Sequence, residues 1–288
     1  MQQAIISLKR ALPLASKQFL ADTYYDTLQA GRNIKRRVLN DRMVVVVASA
    51  NRVGSTWLYQ LVGSLGHFDL GYDQLASEFQ DAGCVVLESP AAFDHIRAFP
   101  GYAIFKTHSY PASADLTKGI KFITIHRDPR DVITSNIFSL TYLRKWKIDW
   151  GGDFRTLPEQ EQIRTFIREA DYCVAKLEQW YRDPHSYKVC YEDLQRRPAE
   201  TLQGVARFLG LRANDQFIGR VIARHSFERT SGRKPGQEQK DSPMRKGIIN
   251  DWRNYFDQES IEVFKTAQGG RWNRLLLEMG YEKTLDWK

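Results

Sequence analysis

The sequence predicts a three-layer α/β fold, in which a central five-stranded parallel sheet is flanked by helices. Short apolar runs of strand length alternate with segments of helical periodicity, which is the pattern of a parallel sheet with helices on both faces. The predicted strands are 43–49, 84–88, 102–108, 120–127 and 187–194. The predicted helices are 55–65, 129–146, 160–182, 198–209, 215–224, 258–267 and 270–279. The first run is β-branched on both faces, as expected of a central strand that is buried on both sides.

The domain organisation is predicted from the same patterns. The chain has 288 residues, of which 42% are hydrophobic and 26% charged, an ordinary globular composition. Residues 43–288 are expected to form a single domain, and residues 1–42 an N-terminal helical arm that packs on it. The basic cluster Lys35-Arg36-Arg37 leaves open a second interpretation, in which the arm binds a membrane surface or a partner. Stable membrane insertion is not expected, because the sequence has no run of about 18 apolar residues.

Charge and cysteine content narrow the ligand classes. The formal net charge is +8 and the pI is about 9.3, which favours anionic ligands such as nucleotides, sulfated or phosphorylated compounds, nucleic acid or an anionic membrane. Cys84, Cys173 and Cys190 are scattered and form no metal-binding spacing. The sequence therefore predicts no disulfide framework, no metal site and a reducing, cytoplasmic compartment.

A glycine-containing turn after the first strand has the layout of a phosphate-binding loop. Gly54 permits a close approach of the backbone, and the helix that follows directs its N-terminal amides and its dipole at an anion. Ser55 and Thr56 can add hydrogen bonds through their hydroxyls. Arg52 supplies a permanent positive charge, and Trp57 supplies an aromatic ring that can stack on a nucleobase. A plain strand-to-helix turn with a hydroxyl N-cap stays open as the alternative. The segment is not a Walker A loop, because no lysine follows the glycine.

Basic residues follow two further predicted strands. Ligands of parallel sheets bind at the carboxyl ends of the strands, so Lys106 and His108 are expected beside the phosphate loop. Histidine is the usual general base near neutral pH, and lysine can neutralise developing charge. An exposed Lys-His pair at a strand end is the alternative.

The sequence from Arg127 to Asp131 repeats this arrangement at the end of the next strand. Asp128 is predicted to be the N-cap of a helix that starts at Pro129. Arg127 and Ser135 are expected to grip a second phosphate, whereas Arg130 and Asp131 are predicted to form a surface pair.

Two segments near the C-terminus complete the set of candidates. Arg245 and Lys246, followed by Gly247, predict a further anion-binding nest. The preceding stretch, 230–243, is rich in Gly, Pro and charge and is expected to be a functional or mobile loop that orders over ligand.

Taken together, these segments resemble the cytosolic sulfotransferases that use 3′-phosphoadenosine 5′-phosphosulfate (PAPS). The family's Lys-Ser-Gly-Thr-Thr-Trp loop is similar to Arg-Val-Gly-Ser-Thr-Trp at 52–57. Its other motifs resemble Lys-Thr-His at 106–108, Arg-Asp-Pro-Arg-Asp at 127–131, Tyr-Glu-Asp at 191–193, Ser-Phe at 226–227 and Arg-Lys-Gly at 245–247. The resemblance spans about residues 43–280 and implies a P-loop-like fold.

The resemblance implies how PAPS and its product, 3′-phosphoadenosine 5′-phosphate (PAP), would bind. The residues for the 5′-phosphosulfate are Arg52, Ser55, Thr56 and the loop amides, including those of Val53 and Gly54. The residues for the 3′-phosphate are Arg127, Ser135, Arg245, Lys246 and Gly247. Those for adenine are Trp57 and Phe227, which would sandwich the base, and Tyr191, which would hydrogen-bond to it.

The resemblance also implies the catalytic roles. His108 would take the proton of the acceptor hydroxyl, and Lys106 would stabilise the sulfonate during transfer. Arg52 stands where many members have lysine; it cannot act as an acid because guanidinium stays charged, so its role would be electrostatic. Asn250 replaces a glycine that is common before the Asp-Trp pair, so that turn is expected to differ.

These observations predict a sulfotransferase that moves the sulfonate of PAPS, in line and without a metal, to an acceptor hydroxyl or amine. A P-loop kinase or NTPase and a non-catalytic nucleotide-binding protein of the same fold are the alternatives. The expected partner is a small-molecule or glycan acceptor, with no nucleic acid. Monomer and dimer stay open, because the Thr-Val centre of the family's dimer motif is missing. Aromatic candidates for the acceptor pocket are Phe79, Tyr110, Phe138, Tyr142, Trp146 and Trp150.

Overall fold

The structure is a computed structural model that describes residues 34–71, 80–81, 84–111, 113–143 and 154–288, with a few isolated residues before position 34. Most of the predicted N-terminal arm lies outside the described residues. The strands are β1 (Met43–Ala48), β2 (Asp69–Leu70), β3 (Gln80–Asp81), β4 (Cys84–Val85), β5 (Tyr102–Thr107), β6 (Ile120–His126) and β7 (Ser186–Cys190). The helices are α1 (Ser55–Gly66), α2 (Pro90–Arg97), α3 (Pro129–Leu143), α4 (Glu159–Glu169), α5 (Asp171–Arg182), α6 (Tyr191–Arg196), α7 (Pro198–Leu209), α8 (Asp215–Arg224), α9 (Phe227–Ser231) and α10 (Gln258–Glu278).

The central sheet has five parallel strands in the order β2-β5-β1-β6-β7, which confirms the predicted architecture. At its centre Ala48 pairs in register with Thr107 on one side and Thr124 on the other. The carboxyl ends of β1, β5 and β6 therefore lie side by side. This edge of the sheet carries the predicted phosphate loop after β1, Lys106 and His108 at the end of β5, and Arg127 after β6.

The prediction that residues 84–88 form a strand of the central sheet was wrong. The apolar run at 84–88 contributes only β4, which pairs antiparallel with β3 in a separate two-stranded sheet. The fifth strand of the central sheet is instead β2, which pairs with β5. Val85 and Leu87 are nevertheless buried, so hydrophobic burial explains the run without a place in the central sheet. The predicted strand at 187–194 also ends early, because helix α6 begins at Tyr191.

The helix predictions hold with changes at the ends. The segment 160–182 is two helices, α4 and α5, divided at Ala170, which adopts a non-helical conformation. The two helices predicted around 268 are confirmed, since non-helical backbone from Ala267 to Gly270 interrupts α10. Asp128 caps α3 as predicted, its Oδ1 accepting a hydrogen bond from the backbone N–H of Arg130 at 2.9 Å.

Helices cover both faces of the sheet. Side chains alternate along a strand, so Val45 and Val47 pack in the cluster that contains α1 and α3, whereas Val44 and Val46 pack in the cluster that contains α2. This arrangement gives three layers and leaves the carboxyl edge of the sheet for polar residues. Within the described residues, no helix is both long and apolar enough to cross a membrane. The three cysteines are free thiols.

Candidate active site

The turn between β1 and α1 has the backbone of an anion-binding loop. Gly54 has φ +94°, and a Cβ atom there would lie 2.6 Å from Cδ2 of Tyr191, so only glycine fits this approach. Gly54 itself is the N-cap of α1, with no side-chain hydrogen bond to the helix. The interpretation of Ser55 or Thr56 as a capping residue is therefore wrong. The side chain of Val53 is fully buried, so this residue can offer only its backbone to a ligand.

Arg52 is the central cation of this loop. Its backbone is left-handed, with φ +67°, and its guanidinium donates to Ser135 Oγ at 3.1 Å and to the carbonyl oxygen of Pro243 at 3.1 Å. Burial, together with the positive charges of Arg127 and Arg245, lowers the pKa of Arg52 to about 10. Among the residues that the structure describes, Arg52 has no carboxylate partner. An anion bound between these three guanidinium groups would relieve their repulsion.

Lys106 and His108 come to the same edge of the sheet, as predicted. Lys106 pairs in register with Val47, and its Nζ donates to Thr56 Oγ1 at 3.1 Å. His108 Nδ1 lies 2.9 Å from the carbonyl oxygen of Ser49, which begins the phosphate loop. A carbonyl can only accept a hydrogen bond, so Nδ1 carries the proton and the lone pair of the neutral ring is on Nε2. This tautomer is the one that a base acting through Nε2 requires.

Arg127 lies between the sheet and the C-terminal loop. Its side chain is 11% exposed and donates to Asp131 Oδ2 at 3.1 Å and to the carbonyl oxygen of Ile248 at 3.0 Å. Its guanidinium carbon lies 4.4 Å from the centre of the Tyr191 ring. Within the described residues its buried Nε has no hydrogen-bond partner. Ser135, the other predicted 3′-phosphate ligand, lies on α3 and accepts a hydrogen bond from Arg52.

The prediction that Arg130 and Asp131 form a surface pair was wrong. Both are almost fully buried, at 2% and 1% exposure, and they pair with other residues. Arg130 binds Asp128 and Glu282, and its guanidinium carbon lies 4.0 Å from the ring centre of Trp252 and 4.5 Å from that of Trp287. Sequence neighbours could not predict this burial, because both tryptophans lie more than 120 positions further along the chain.

The Arg-Lys-Gly segment carries cations that are already paired. Arg245 donates to Asp251 and, at 2.5 Å, to Glu238 Oε1, and Lys246 donates to Asp251 Oδ1 at 2.9 Å. Both also donate to the hydroxyl of Tyr255 at 3.0 Å. Although burial opposes it, the hydrogen bond from Lys246 and the charge of Arg245 hold the pKa of Asp251 below its ordinary value.

Glycine-like backbone occurs twice in this segment. Gly247 has φ +63°, and a Cβ atom there would lie 2.4 Å from the ring of Phe227. Asn250 has φ +58°, a left-handed conformation that asparagine tolerates better than most non-glycine residues. That this turn differs from one with glycine stays a prediction. The loop at 230–243 packs on this segment through backbone bonds from Gly236 to Lys246 and from Gln239 to Arg245.

Three aromatic residues, Trp57, Tyr191 and Phe227, are predicted to hold adenine. Trp57 donates from Nε1 to the carbonyl oxygen of His225 at 2.8 Å, and its ring meets that of Tyr191 edge-on with the centroids 6.2 Å apart. The Tyr191 hydroxyl accepts a hydrogen bond from Gln195 at 2.8 Å. Phe227 begins α9 and faces Gly247.

The acceptor-pocket candidates are only partly described. Phe79, Trp146 and Trp150 lie outside the described residues, as does the side chain of Tyr142. Phe138 is buried under the guanidinium of Arg245, whose carbon lies 4.1 Å from the ring centre. Tyr110 lines a cavity of about 240 Å³ together with Phe122, Trp180 and Asp183. Within the described ranges, no group of three or more His, Cys, Asp or Glu side chains could hold a metal ion.

Comparison with known proteins identifies the family. The model of the sulfotransferase domain matches residues 42–271, well over half of the chain. The chain belongs to the sulfotransferase family. This sulfotransferase is 25% identical to sulfotransferase 1C2 of Rattus norvegicus over 209 residues, which cover 63% of this chain and 67% of the relative. It is 32% identical to sulfotransferase 1B1 of Canis lupus familiaris over 98 residues, covering 30% of this chain and 33% of the relative.

Solved structures share the fold. Mouse sulfotransferase SULT7A1 complexed with PAP superposes with a TM-score of 0.50 at 18% identity, covering 82% of this chain and 88% of that one. Retinol dehydratase in complex with androsterone and PAP gives a TM-score of 0.53 at 19% identity, covering 82% of this chain and 80% of that one. The resemblance stated from the motifs is thus confirmed, and nothing favours the kinase alternative.

Proposed function

We propose that this sulfotransferase moves the sulfonate of PAPS onto an acceptor hydroxyl or amine by in-line transfer, with His108 as the base. The observation that carries this assignment is the cluster of Arg52, Arg127 and Arg245, in which burial, and after it the positive charges of the other two arginines, lower the pKa of Arg52. A donor with anionic groups at both its 5′ and its 3′ positions fits such a cluster. Cations, rather than carboxylates, surround the phosphate loop, and they would repel a metal ion, so the transfer is proposed to be metal-independent.

The 5′ end of the donor binds at the phosphate loop. Arg52, the hydroxyls of Ser55 and Thr56 and the amides of Val53 and Gly54 would hold the phosphosulfate. Charge develops on the bridging oxygen as the S–O bond breaks, and preorganised cations stabilise this change most effectively. Arg52 supplies a fixed charge there without giving up a proton. Lys106, held by Thr56, would meet the charge on the sulfonate oxygens.

The base acts from the strand beside this loop. The carbonyl of Ser49 fixes the ring of His108 with Nδ1 protonated, so Nε2 can take the acceptor's proton. A phenolic or aliphatic hydroxyl has a pKa of about 10 or higher and attacks sulfur well only as its proton leaves. Positioning of acceptor and donor, rather than covalent catalysis, supplies the rest of the rate.

The 3′ end of the donor binds at the second group of cations. Arg127, Ser135, Arg245, Lys246 and the backbone of Gly247 would hold the 3′-phosphate. Trp57 and Phe227 would enclose adenine. The hydroxyl of Tyr191 accepts a hydrogen bond from Gln195 and can donate its own proton to adenine.

The remaining proposals concern the acceptor and the rest of the chain. The acceptor is a small molecule, and an aromatic or lipophilic phenol, or a glycan, is proposed. Residues 43–288 are proposed to form one domain against which residues 1–42 pack; Arg37 pairs with Asp69 at 2.7 Å, in agreement with this. A cytoplasmic location and the oligomeric state stay predictions.

A transfer assay tests the function. The chain is incubated with ³⁵S-labelled PAPS and a panel of phenols, alcohols, amines and oligosaccharides, and labelled products are counted. We expect transfer to at least one hydroxyl class, and His108→Ala should lower kcat by about 10²–10⁴ with PAP affinity nearly unchanged, because it removes only the base. His95→Ala, at a half-buried histidine on α2, is the matched control. Near-full turnover by His108→Ala would overturn the catalytic assignment.

A further inference from the structure

The carboxylate of Asp131 joins two segments that are 119 to 121 positions apart in the chain. Its Oδ2 accepts the backbone N–H of Asn250 at 2.9 Å, and its Oδ1 accepts that of Trp252 at 2.9 Å. Oδ2 also accepts at 3.1 Å from Arg127, which lies four residues earlier, between β6 and α3. The side chain of Asp131 has no exposed surface, so water cannot replace these bonds.

The two amides that Asp131 binds lie on either side of Asp251. Asp251 is the carboxylate that holds both Arg245 and Lys246. A third bond, from Arg127 to the carbonyl of Ile248, fastens the same loop to the end of β6. Asp131 therefore fixes the distance of Arg127, at the edge of the sheet, from Arg245 and Lys246 on the loop.

An aspartate is the side chain that this position requires. Three donors converge on it, and a carboxylate offers acceptor positions on two oxygens, whereas the amide of asparagine offers one oxygen. The backbone N–H of Asn250, a residue in the left-handed conformation, is one of these three donors.

We propose that Asp131 is a positioning residue that sets the spacing of the two halves of the 3′-phosphate site, Arg127 on one side and Arg245 with Lys246 on the other. This inference rests on the proposed function, because it takes these cations to be the 3′-phosphate ligands. Asp131 does not itself touch the donor. It acts by holding the loop in the geometry that the phosphate requires before the phosphate arrives.

The test compares two nucleotides that differ only in the 3′-phosphate. Dissociation constants for PAP and AMP are measured by calorimetry for the full chain, for Asp131→Asn and for Asp94→Asn, which removes an exposed aspartate–arginine pair on α2. We expect Asp131→Asn to weaken PAP binding by about tenfold to a hundredfold and AMP binding by less than about threefold. Asp94→Asn should leave both constants unchanged.

The possible outcomes separate this inference from the assignment beneath it. If the unaltered chain binds PAP and AMP equally, the 3′-phosphate assignment fails and the inference with it. If the unaltered chain prefers PAP and Asp131→Asn keeps the same preference, only the positioning role is overturned. A loss of thermal stability with an unchanged preference would likewise show a merely structural role.

A second measurement needs no variant, in case Asp131→Asn does not fold. Hydrogen exchange of the Asn250 and Trp252 amides is followed in the full chain without nucleotide. The inference expects both amides to exchange slowly already in this state, since Asp131 holds them before binding. Rapid exchange that slows only when PAP is added would overturn it, because the nucleotide would then be the element that orders the loop.

Discussion

The two ends of the proposed donor site treat their cations differently. Beside the phosphate loop, Arg52 after β1 and Lys106 in β5 have neutral hydrogen-bond partners: a serine hydroxyl, a carbonyl oxygen and a threonine hydroxyl. In the loop before α10, Arg245 and Lys246 are neutralised by the carboxylates of Asp251 and Glu238. Both ends are rich in positively charged residues. Within the described residues, carboxylates neutralise Arg245 and Lys246 at the second end but not Arg52 and Lys106 at the first.

This difference assigns different tasks to the two ends. Cations without a carboxylate partner interact strongly with negative charge that develops in a transition state, because no neighbouring anion neutralises them. Compensated cations are held rigidly and suit a phosphate whose charge does not change during the reaction, which is uniform binding. The first end should therefore govern turnover, and the second should govern affinity.

The largest expected effect is at the first end. Arg52→Ala should lower kcat by about 10²–10³, which is the usual effect of removing one preorganised group that stabilises charge in the transition state. Single-turnover transfer of ³⁵S from saturating PAPS measures it. Arg52→Lys, which keeps a charge, should recover most of the rate. An Arg52→Ala variant with normal kcat and a raised Kd for PAP would erase the difference between the ends.

A smaller effect is expected from the carboxylate that contacts the second end. Glu238 occupies Arg245 and the hydroxyl of Tyr255, and it lies 4.0 Å from Lys246, so it competes with a 3′-phosphate for these donors. Glu238→Gln should tighten PAP binding by about three- to tenfold and leave AMP binding unchanged. Glu262→Gln, at an exposed glutamate on α10, is the control. Weaker PAP binding by Glu238→Gln would mean that Glu238 orients Arg245 instead of competing for it.

The sequence predicted the positions of the cations but not the groups that offset them. Arg52 and Arg127 follow strands, Lys106 lies near the end of a strand, and Arg245 stands two positions before a glycine. Such local patterns can be recognised in a sequence. Asp131 and Asp251 act through contacts between distant parts of the chain, and nothing in their sequence neighbours distinguishes a buried carboxylate from a surface one. For this reason Asp131 was predicted to lie at the surface.

The fold shows the same limit. Long β-branched runs such as β1 were predicted, because a buried parallel strand must be apolar on both faces. Strand β2 has only two residues, Asp69 and Leu70, and no hydrophobic run of its own, so it was missed. The run at 84–88 was assigned to the sheet because apolar periodicity reports burial, and burial under α2 produces the same pattern as burial in a strand.

The most direct measurement of the central claim is calorimetric titration of the chain with PAP and with AMP, repeated for Arg245→Ala. Each charge-assisted bond to the 3′-phosphate contributes about 1.5–3 kcal/mol, so PAP should bind at least about tenfold more tightly than AMP. Arg245→Ala should lose most of that preference while kcat at saturating PAPS stays near normal. Equal affinity of the unaltered chain for the two nucleotides would contradict a binding site with two separate anion-holding ends.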